Sequence, residues 1–585
     1  MAIRHGPHWF GLSVLGLALL AVVAQVAARP SPDVAWILYV ARALLGGGRL
    51  GVDLFENTPP MIFALKVPAV ALAGALGLRE WPVWAALVAI LAGAAAALVL
   101  HLTREWRVPK GRGTEATVAA LAVALLLIPN ADFGQRDHVT AILVIPYVFL
   151  VARRLGGIAV SAQLAILVGA LAGVGIGIKP HFVLLPIALL VLSVYRTGIR
   201  GVFTSEHLAI GVAGVVYIAG VVVFSPEYLR YAAAYGPLYQ HFQTEFVLVG
   251  GRVPFLPPWL GAAVGVEALP AYISLGVLAA ARGYLARDEQ RFADVLATAT
   301  GALLLVAIVQ GKGWRYHFLP SQTFAVLTVV LVLACSVRRL PRRLARVYLG
   351  VGAGMLAALV VSVIPASALR LVHPRDARLD GDPNLGLLLP LVRAVGPLGH
   401  VAVLSTNISS SFPLVLEGGS QWALRQPNLW PLVAFYPDEV RAAAMVRPRP
   451  FAMRSPFEQQ LTRETVVDLL RTKPELLLVL RSDTTTRRWG GATRFGYLGY
   501  FSGYPGFQDQ VLANYRQGSV IGEYDVYWRQ GSRAATEPAP GVLSLAPIPL
   551  LSLASWTKLL SGVASVVGFL GAWVASRPER QVVLA

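Results

Sequence analysis

Apolar runs of membrane-spanning length alternate with short loops rich in Lys and Arg along most of this chain. A helix needs about 20 residues to cross a hydrocarbon core. The pattern predicts spans at 9–28, 82–102, 114–129, 138–152, 161–178, 182–196, 207–224, 259–281, 293–310, 317–336, 345–365 and 545–575. The segment Pro59–Leu78 is also apolar, but charge argues for an interfacial or re-entrant helix. Leaving it out puts Arg104/Arg107/Lys110/Arg112, Arg153/Arg154, Arg196/Arg200, Arg282/Arg287/Arg291 and Arg338/Arg339/Arg342/Arg343/Arg346 all on the cytoplasmic side, as the positive-inside rule requires. Counting it as a span would turn every one of those loops outward. Twelve spans fit the charges and thirteen do not.

The same topology places loops 29–81, 130–137, 225–258 and 311–316, the turn near 179–181 and the stretch 366–544 in the periplasm. In 366–544, strand-like runs (His400–Leu404, Glu475–Leu480) alternate with helix-like ones (Arg463–Arg471), the mark of a small α/β domain. The expected architecture is an all-α polytopic membrane protein with a small periplasmic α/β domain. Residues 1–365 form the transmembrane module and 366–544 the periplasmic domain; 545–585 supply a C-terminal span and cytoplasmic tail. The N-terminal run from Trp9 to Val26 resembles a secretory signal but reads better as an uncleaved first span. The expected site is a bacterial inner membrane.

Composition sharpens this picture at three points. Only 14% of the 585 residues are charged, against roughly a quarter in a soluble domain. The formal charge of +19 belongs to loops that set orientation, which removes nucleic acid as a partner. One cysteine, Cys335, lies inside an apolar run, so disulfides and cysteine metal sites are excluded.

Candidate chemistry gathers in the periplasmic loops. Asp33 opens the amphipathic stretch VAWILYVARALL, which ends at Gly46-Gly47-Gly48; a structural N-cap is its plainer reading. Next comes GVDLFENTPP, with Asp53 and Glu56 ahead of Pro59-Pro60, then an interfacial helix carrying Lys66. Carboxylates beside a bilayer are costly unless they meet a cation, a basic partner or a substrate hydroxyl. The turn NADFGQRDH packs Asp132, Arg136, Asp137 and His138 together, either as an internal ion-pair cluster or as a site. Lys179-Pro180-His181 interrupts an apolar hairpin. The run GKGWRYH supplies Lys312, Trp314, Arg315, Tyr316 and His317. Cations beside aromatics suit a phosphate and a sugar face, and they also suit a plain interfacial belt.

The cytoplasmic loops hold neither a phosphate-cradling glycine loop nor a nucleotide fingerprint. With sugar nucleotides absent from the periplasm, an activated donor must arrive on a lipid. A carboxylate then serves as base on an acceptor hydroxyl while cations stabilise the departing phosphate.

From Asp33 through VAWILYVARALLGGG and GVDLFENTPP to Lys66, the chain resembles the first periplasmic loop of GT-C fold glycosyltransferases. The nearest branch holds the protein O-mannosyltransferases and lipid A aminoarabinose transferases. The resemblance implies Asp33 as catalytic base, Asp137 as a second functional carboxylate, a polyprenyl-phosphate-linked sugar donor and inverting transfer. It leaves the acceptor open among glycan, lipid and protein. Two departures stand out: Val34 follows Asp33 where the family often has Glu, and Thr58 precedes Pro-Pro where it has Lys. The donor phosphate then falls to Lys312, Arg315 or Lys179, and Asp53 remains a second candidate base. No cofactor is certain; the acidic pair leaves room for a divalent metal without requiring one. Three other readings compete: a polysaccharide polymerase or ligase, a lipid transporter, and a non-catalytic subunit of glycan assembly. Spans with dry centres and unmatched halves weigh against transport.

Overall fold

A computed structural model describes residues 8–104, 113–241, 246–248, 251–253, 258–372, 384–441, 445–481 and 494–532. The first helix, α1 (His8–Ala27), is followed by α2 (Pro32–Leu45), α3 (Met61–Leu76), α4 (Glu80–Thr103), α5 (Gly113–Ala122), α6 (Arg136–Leu155), α7 (Ala162–Gly177) and α8 (Leu184–Thr197). Then come α9 (Ser205–Phe224), α10 (Pro226–Tyr235), α11 (Pro258–Val264), α12 (Leu269–Ala281), α13 (Arg287–Gln310), α14 (Arg315–Ser336) and α15 (Arg342–Val372). Among the described residues, six helices are long and apolar enough to cross a membrane. The chain is an α-helical, multi-pass membrane protein.

Composition along each helix sets its place. Nearly all of α6 is buried although it opens on three polar residues, Arg136, Asp137 and His138; α4, α7, α8, α13 and α14 surround it. Helix α9 shows Leu208, Val212, Val215 and Val222 outward, as a lipid-facing helix would. It meets α7 through Gly169, where an added Cβ would lie 2.4 Å from the Glu206 carbonyl oxygen. Gly77 and Gly311 stop α3 and α13 in the left-handed conformation, the usual helix C-terminus.

Several boundaries differ from the sequence reading. Segment 259–281 is two helices, α11 and α12, parted at Gly265 and reopened by Pro270. The span at 114–129 is α5 followed by a π-helical stretch, Val123–Leu127. Helix α15 runs on to Val372, past the expected boundary at 365. Loop 225–258 contains α10, whose Tyr228, Tyr231 and Tyr235 share one buried face. The expected span at 545–575 lies outside the described residues.

Beyond α15, the described residues between 384 and 532 build an α/β unit. Nine strands occur in the described chain: a hairpin of β1 (Phe246–Leu248) and β2 (Gly251–Val253), then β3 (His400–Leu404), β4 (Gln421–Trp422), β5 (Met445–Val446), β6 (Leu476–Leu480), β7 (Arg494–Phe495), β8 (Tyr515–Ile521) and β9 (Tyr524–Arg529). The main sheet has the order β4-β3-β6-β9-β8, parallel across β4, β3 and β6 and antiparallel beyond. All five residues of β6 are buried, as expected of a central strand covered on both faces. The helix Pro456–Thr472 lies on the crossover from β3 to β6.

This unit is fastened to α2, to the loop after it and to the turn after α3. The Trp422 N–H donates to the Tyr39 hydroxyl at 2.9 Å, and the Phe55 N–H donates to the Arg425 carbonyl at 2.7 Å. Arg79 pairs with Glu417 at 2.9 Å. Trp36, Tyr39 and Phe412 pack ring to ring, with centroids 5.1–5.9 Å apart.

Candidate functional site

Six separated segments face one hollow of about 900 Å³: the start of α2, residues 56–59, the start of α6, the turn before α8, α10 with the turn that follows it, and the turn between α13 and α14. Ile408, Pro427, Asn428 and Trp430 of the α/β unit close it from the other side.

Asp33 lies in the first turn of α2 behind Ser31 and Pro32, not at the cap. Pro32 takes the first helical position, where a missing N–H costs nothing, and the Asp33 carboxylate turns to tertiary partners. Gln135 Nε2 donates to its Oδ2 at 3.1 Å, and Arg136 Nη2 stands 3.5 Å from the same oxygen. Glu56 is already engaged: it accepts from Trp36 Nε1 at 2.5 Å and from Thr58 N and Oγ1 at 2.8 and 2.9 Å. Asp33 is therefore the more available carboxylate in the hollow.

Three cations line the same space. Arg136 donates to Thr58 Oγ1, which brings positive charge to the position where the family resemblance expects lysine; its Nε has no hydrogen-bond partner among the described residues. Lys179 donates to Asp137 Oδ2 at 2.7 Å and to Gln310 Oε1 at 3.1 Å, and lies 5.3 Å from the Tyr316 ring centroid. Burial pulls its amine down to about 8, although Asp137 opposes that shift. Lys312 sits between Gly311 and Gly313, both in positive-φ conformations. Its Nζ donates to the Tyr239 carbonyl and stands 4.5 Å from the Tyr239 ring centroid. Burial lowers this amine to about 8 as well.

An aromatic wall faces the cations. Tyr239 meets Trp430 edge-on at 5.5 Å and Trp314 at 6.1 Å, and Trp314 lies 5.6 Å from Tyr316. His181 and His317 complete this side. The Tyr316 hydroxyl has no hydrogen-bond partner among the described residues.

Other residues singled out by the sequence stand elsewhere. Asp137 is fully buried behind Lys179, so it holds that amine and does not line the hollow. Arg315 points away, donating to the Ile128 carbonyl at 2.7 Å and pairing with Asp132 at 3.6 Å. Burial pushes the Asp132 carboxyl up to about 6, with Arg315 acting against it. His138 accepts from the Gly134 N–H at Nδ1 (3.0 Å) and faces the Leu125 carbonyl at Nε2 (2.8 Å), the pattern of a structural histidine. Lys66 is wholly buried; its Nζ donates to the Val34 carbonyl at 3.3 Å and sits 4.9 Å from the Trp84 ring centroid. Asp53 pairs with Arg49 at 3.4 Å and lines a second, smaller hollow. Among the described residues, no group of three or more His, Cys, Asp or Glu is placed to hold a metal ion.

The sequence reading passed over Trp36, Gln310, Tyr228, Tyr239, Asn428 and Trp430, all of which line the hollow. The tyrosine spacing in PEYLRYAAAY was a usable sign of a helix in loop 225–258. Nothing local marks Asn428 or Trp430, which arrive from the α/β unit.

No protein-family model and no curated protein matches the sequence. Among solved structures the chain is similar to ArnT from Cupriavidus metallidurans in the apo state, with a TM-score of 0.52 and 16% identity over 88% of this chain and 97% of that one. It is equally similar to the same protein bound to undecaprenyl phosphate: TM-score 0.52 and 14% identity, covering 89% and 98%. At such identities the likeness speaks to the fold, and the fold is that of the GT-C glycosyltransferases.

Proposed function

We propose that this chain is a membrane glycosyltransferase that moves a sugar from a polyprenyl-phosphate donor to an acceptor hydroxyl on the periplasmic side of a bacterial inner membrane. The observation that carries the reading is the meeting of Asp33 with Arg136, Lys179 and Lys312, from four separate segments, in one hollow. The undecaprenyl phosphate bound to a protein of the same fold supports a lipid-phosphate donor. The positive-inside loops support the periplasmic placement.

In this reading the donor phosphate lies among the three cations, whose N–H groups form charge-assisted bonds to it. The Asp33 carboxylate, oriented by Gln135 and Arg136, takes the proton of the acceptor hydroxyl. The acceptor oxygen bonds to the anomeric carbon on the face opposite the phosphate. The carbon–oxygen bond to the phosphate breaks, its electron pair leaves with the lipid phosphate, and the configuration inverts. The cations act more strongly on the leaving phosphate as its charge grows, which is the condition for catalysis. Asp137 acts through Lys179, fixing that amine at 2.7 Å. Topology predicts twelve spans around this site, the last at 545–575.

The test is transfer by purified protein in nanodiscs supplied with polyprenyl-phosphate sugars and cell-envelope acceptors. Asp33→Asn lowers kcat by about a hundredfold or more and leaves polyprenyl-phosphate binding near wild type. Turnover retained in Asp33→Asn and lost in Asp53→Asn moves the base; no transfer with any such donor removes the proposal.

A further inference from the structure

The second hollow, about 420 Å³, lies between the far end of α2 and the α/β unit. It shares two walls with the first. Loop residues Asp53 and Leu54 face the small hollow while Glu56 and Thr58 face the large one; likewise Trp422 and Leu424 face the small one while Pro427 and Asn428 face the large one. Between them runs a bar made by the Phe55 N–H bonded to the Arg425 carbonyl at 2.7 Å, with the Arg425 guanidinium 4.7 Å from the Phe55 ring centroid. Leu424 and Pro427 are three residues apart, so the two hollows approach within about 10 Å along that strap.

The lining is chemically mixed. Tyr39 and Trp422 stand in its wall. The Tyr39 hydroxyl is held by the Trp422 N–H, and the Trp422 indole by the Gln426 carbonyl at 2.7 Å, so both rings are fixed. Around them stand Asp53, His400, Gln421 and Arg471. Charge is nearly balanced, with one carboxylate and one guanidinium, each already holding an ion-pair partner, Arg49 and Asp468. Burial holds the His400 ring below its usual range, and a neutral imidazole offers one donor and one acceptor. A phosphate would find too little positive charge here, and a divalent cation too few ligands. Polar side chains that offer donors and acceptors together, held in a wall fixed by Tyr39 and Trp422, match the vicinal hydroxyls of a sugar.

We infer that this hollow is a saccharide subsite, occupied by the body of a glycan acceptor whose terminal hydroxyl lies across the Phe55–Arg425 bar at Asp33. The inference rests on the glycosyltransferase reading and makes it more specific, since it selects a glycan over a protein or simple lipid as acceptor. Its volume falls in the range of about 300–1,000 Å³ usual for small-ligand pockets. Asp53, which the sequence flagged and the transfer chemistry does not use, finds its role here as a hydroxyl acceptor.

The experiment is saturation-transfer NMR on the full chain in nanodiscs, with a panel of neutral pentoses, hexoses and their disaccharides, beside a separate binding measurement with polyprenyl phosphate. Wild type binds at least one saccharide of the panel. Gln421→Ala and Arg471→Ala each weaken that binding by about tenfold, the effect of losing one such hydrogen bond, and leave polyprenyl-phosphate binding unchanged. Wild type that binds polyprenyl phosphate but no saccharide overturns the subsite, as do variants that bind the saccharide as well as wild type. Wild type that binds neither ligand overturns the subsite together with the transferase reading.

Discussion

Single side chains divide here by what burial does to their charge. Lys179 and Lys312 are both lowered to about 8 by desolvation, so each is protonated below that pH and loses its charge above it. A donor phosphodiester stays anionic throughout this range. Donor affinity therefore falls as pH rises through about 8, by roughly tenfold for each charge-assisted bond lost. A KM profile for donor from pH 7 to 9.5 checks this; Lys312→Arg, which keeps its charge, should flatten part of the rise, and a flat wild-type profile would contradict it. Asp33, Lys179, Lys312 and Arg136 were legible in the sequence because a charged residue near a bilayer needs a reason to be there. Arg315 and His138 looked the same on that criterion, but a carbonyl at 2.7 Å satisfies one and a pair of backbone groups the other. Composition cannot tell a charge facing a hollow from one facing a carbonyl.

At the level of elements, the turn that launches α6 positions the site. Gly134 has φ +72°, and a Cβ there would lie 2.6 Å from Trp84 Nε1, whose indole already donates to the Gly134 carbonyl at 3.2 Å. Its own N–H donates to His138 Nδ1. Gln135 and Arg136, the partners of Asp33, follow at once. Gly134→Ala should cost about 2 kcal/mol or more from left-handed strain and crowding. Thermal unfolding in detergent should show a lower midpoint, with weaker polyprenyl-phosphate binding; an unchanged midpoint would show that the turn has slack. Helix α2 was readable from its period and its glycines, and α6 and α14 from length. The break between α11 and α12 was not, because Gly265 and Pro270 sit in a stretch apolar enough to pass for one span. Helix α10 was missed for the opposite reason: it is short and amphipathic, and its Tyr231 stacks on Phe55 at 4.7 Å and on Tyr235 at 4.5 Å instead of facing lipid.

For the whole molecule, the helices and loops before α15 supply most of the hollow, and the α/β unit closes it through Ile408, Pro427, Asn428 and Trp430. The sequence announced the unit through His400–Leu404 and Glu475–Leu480, and the strands stand there as His400–Leu404 and Leu476–Leu480. It gave no sign that Asn428 and Trp430 roof the hollow, since that depends on bonds such as Phe55 to Arg425, between residues hundreds of positions apart. Long-range pairing of this kind leaves no periodicity to read. Trp430 and Tyr239 meet only because the two parts close on each other.

The central claim is that the cations and Asp33 serve one lipid phosphate. A cryo-EM map of the full chain in nanodiscs with polyprenyl phosphate tests it most directly. Phosphate density should lie within hydrogen-bond reach of Arg136 and Lys312 in the large hollow, with the prenyl tail leading into the bilayer. A lipid phosphate bound elsewhere, with the hollow around Asp33 filled by solvent alone, would contradict the account.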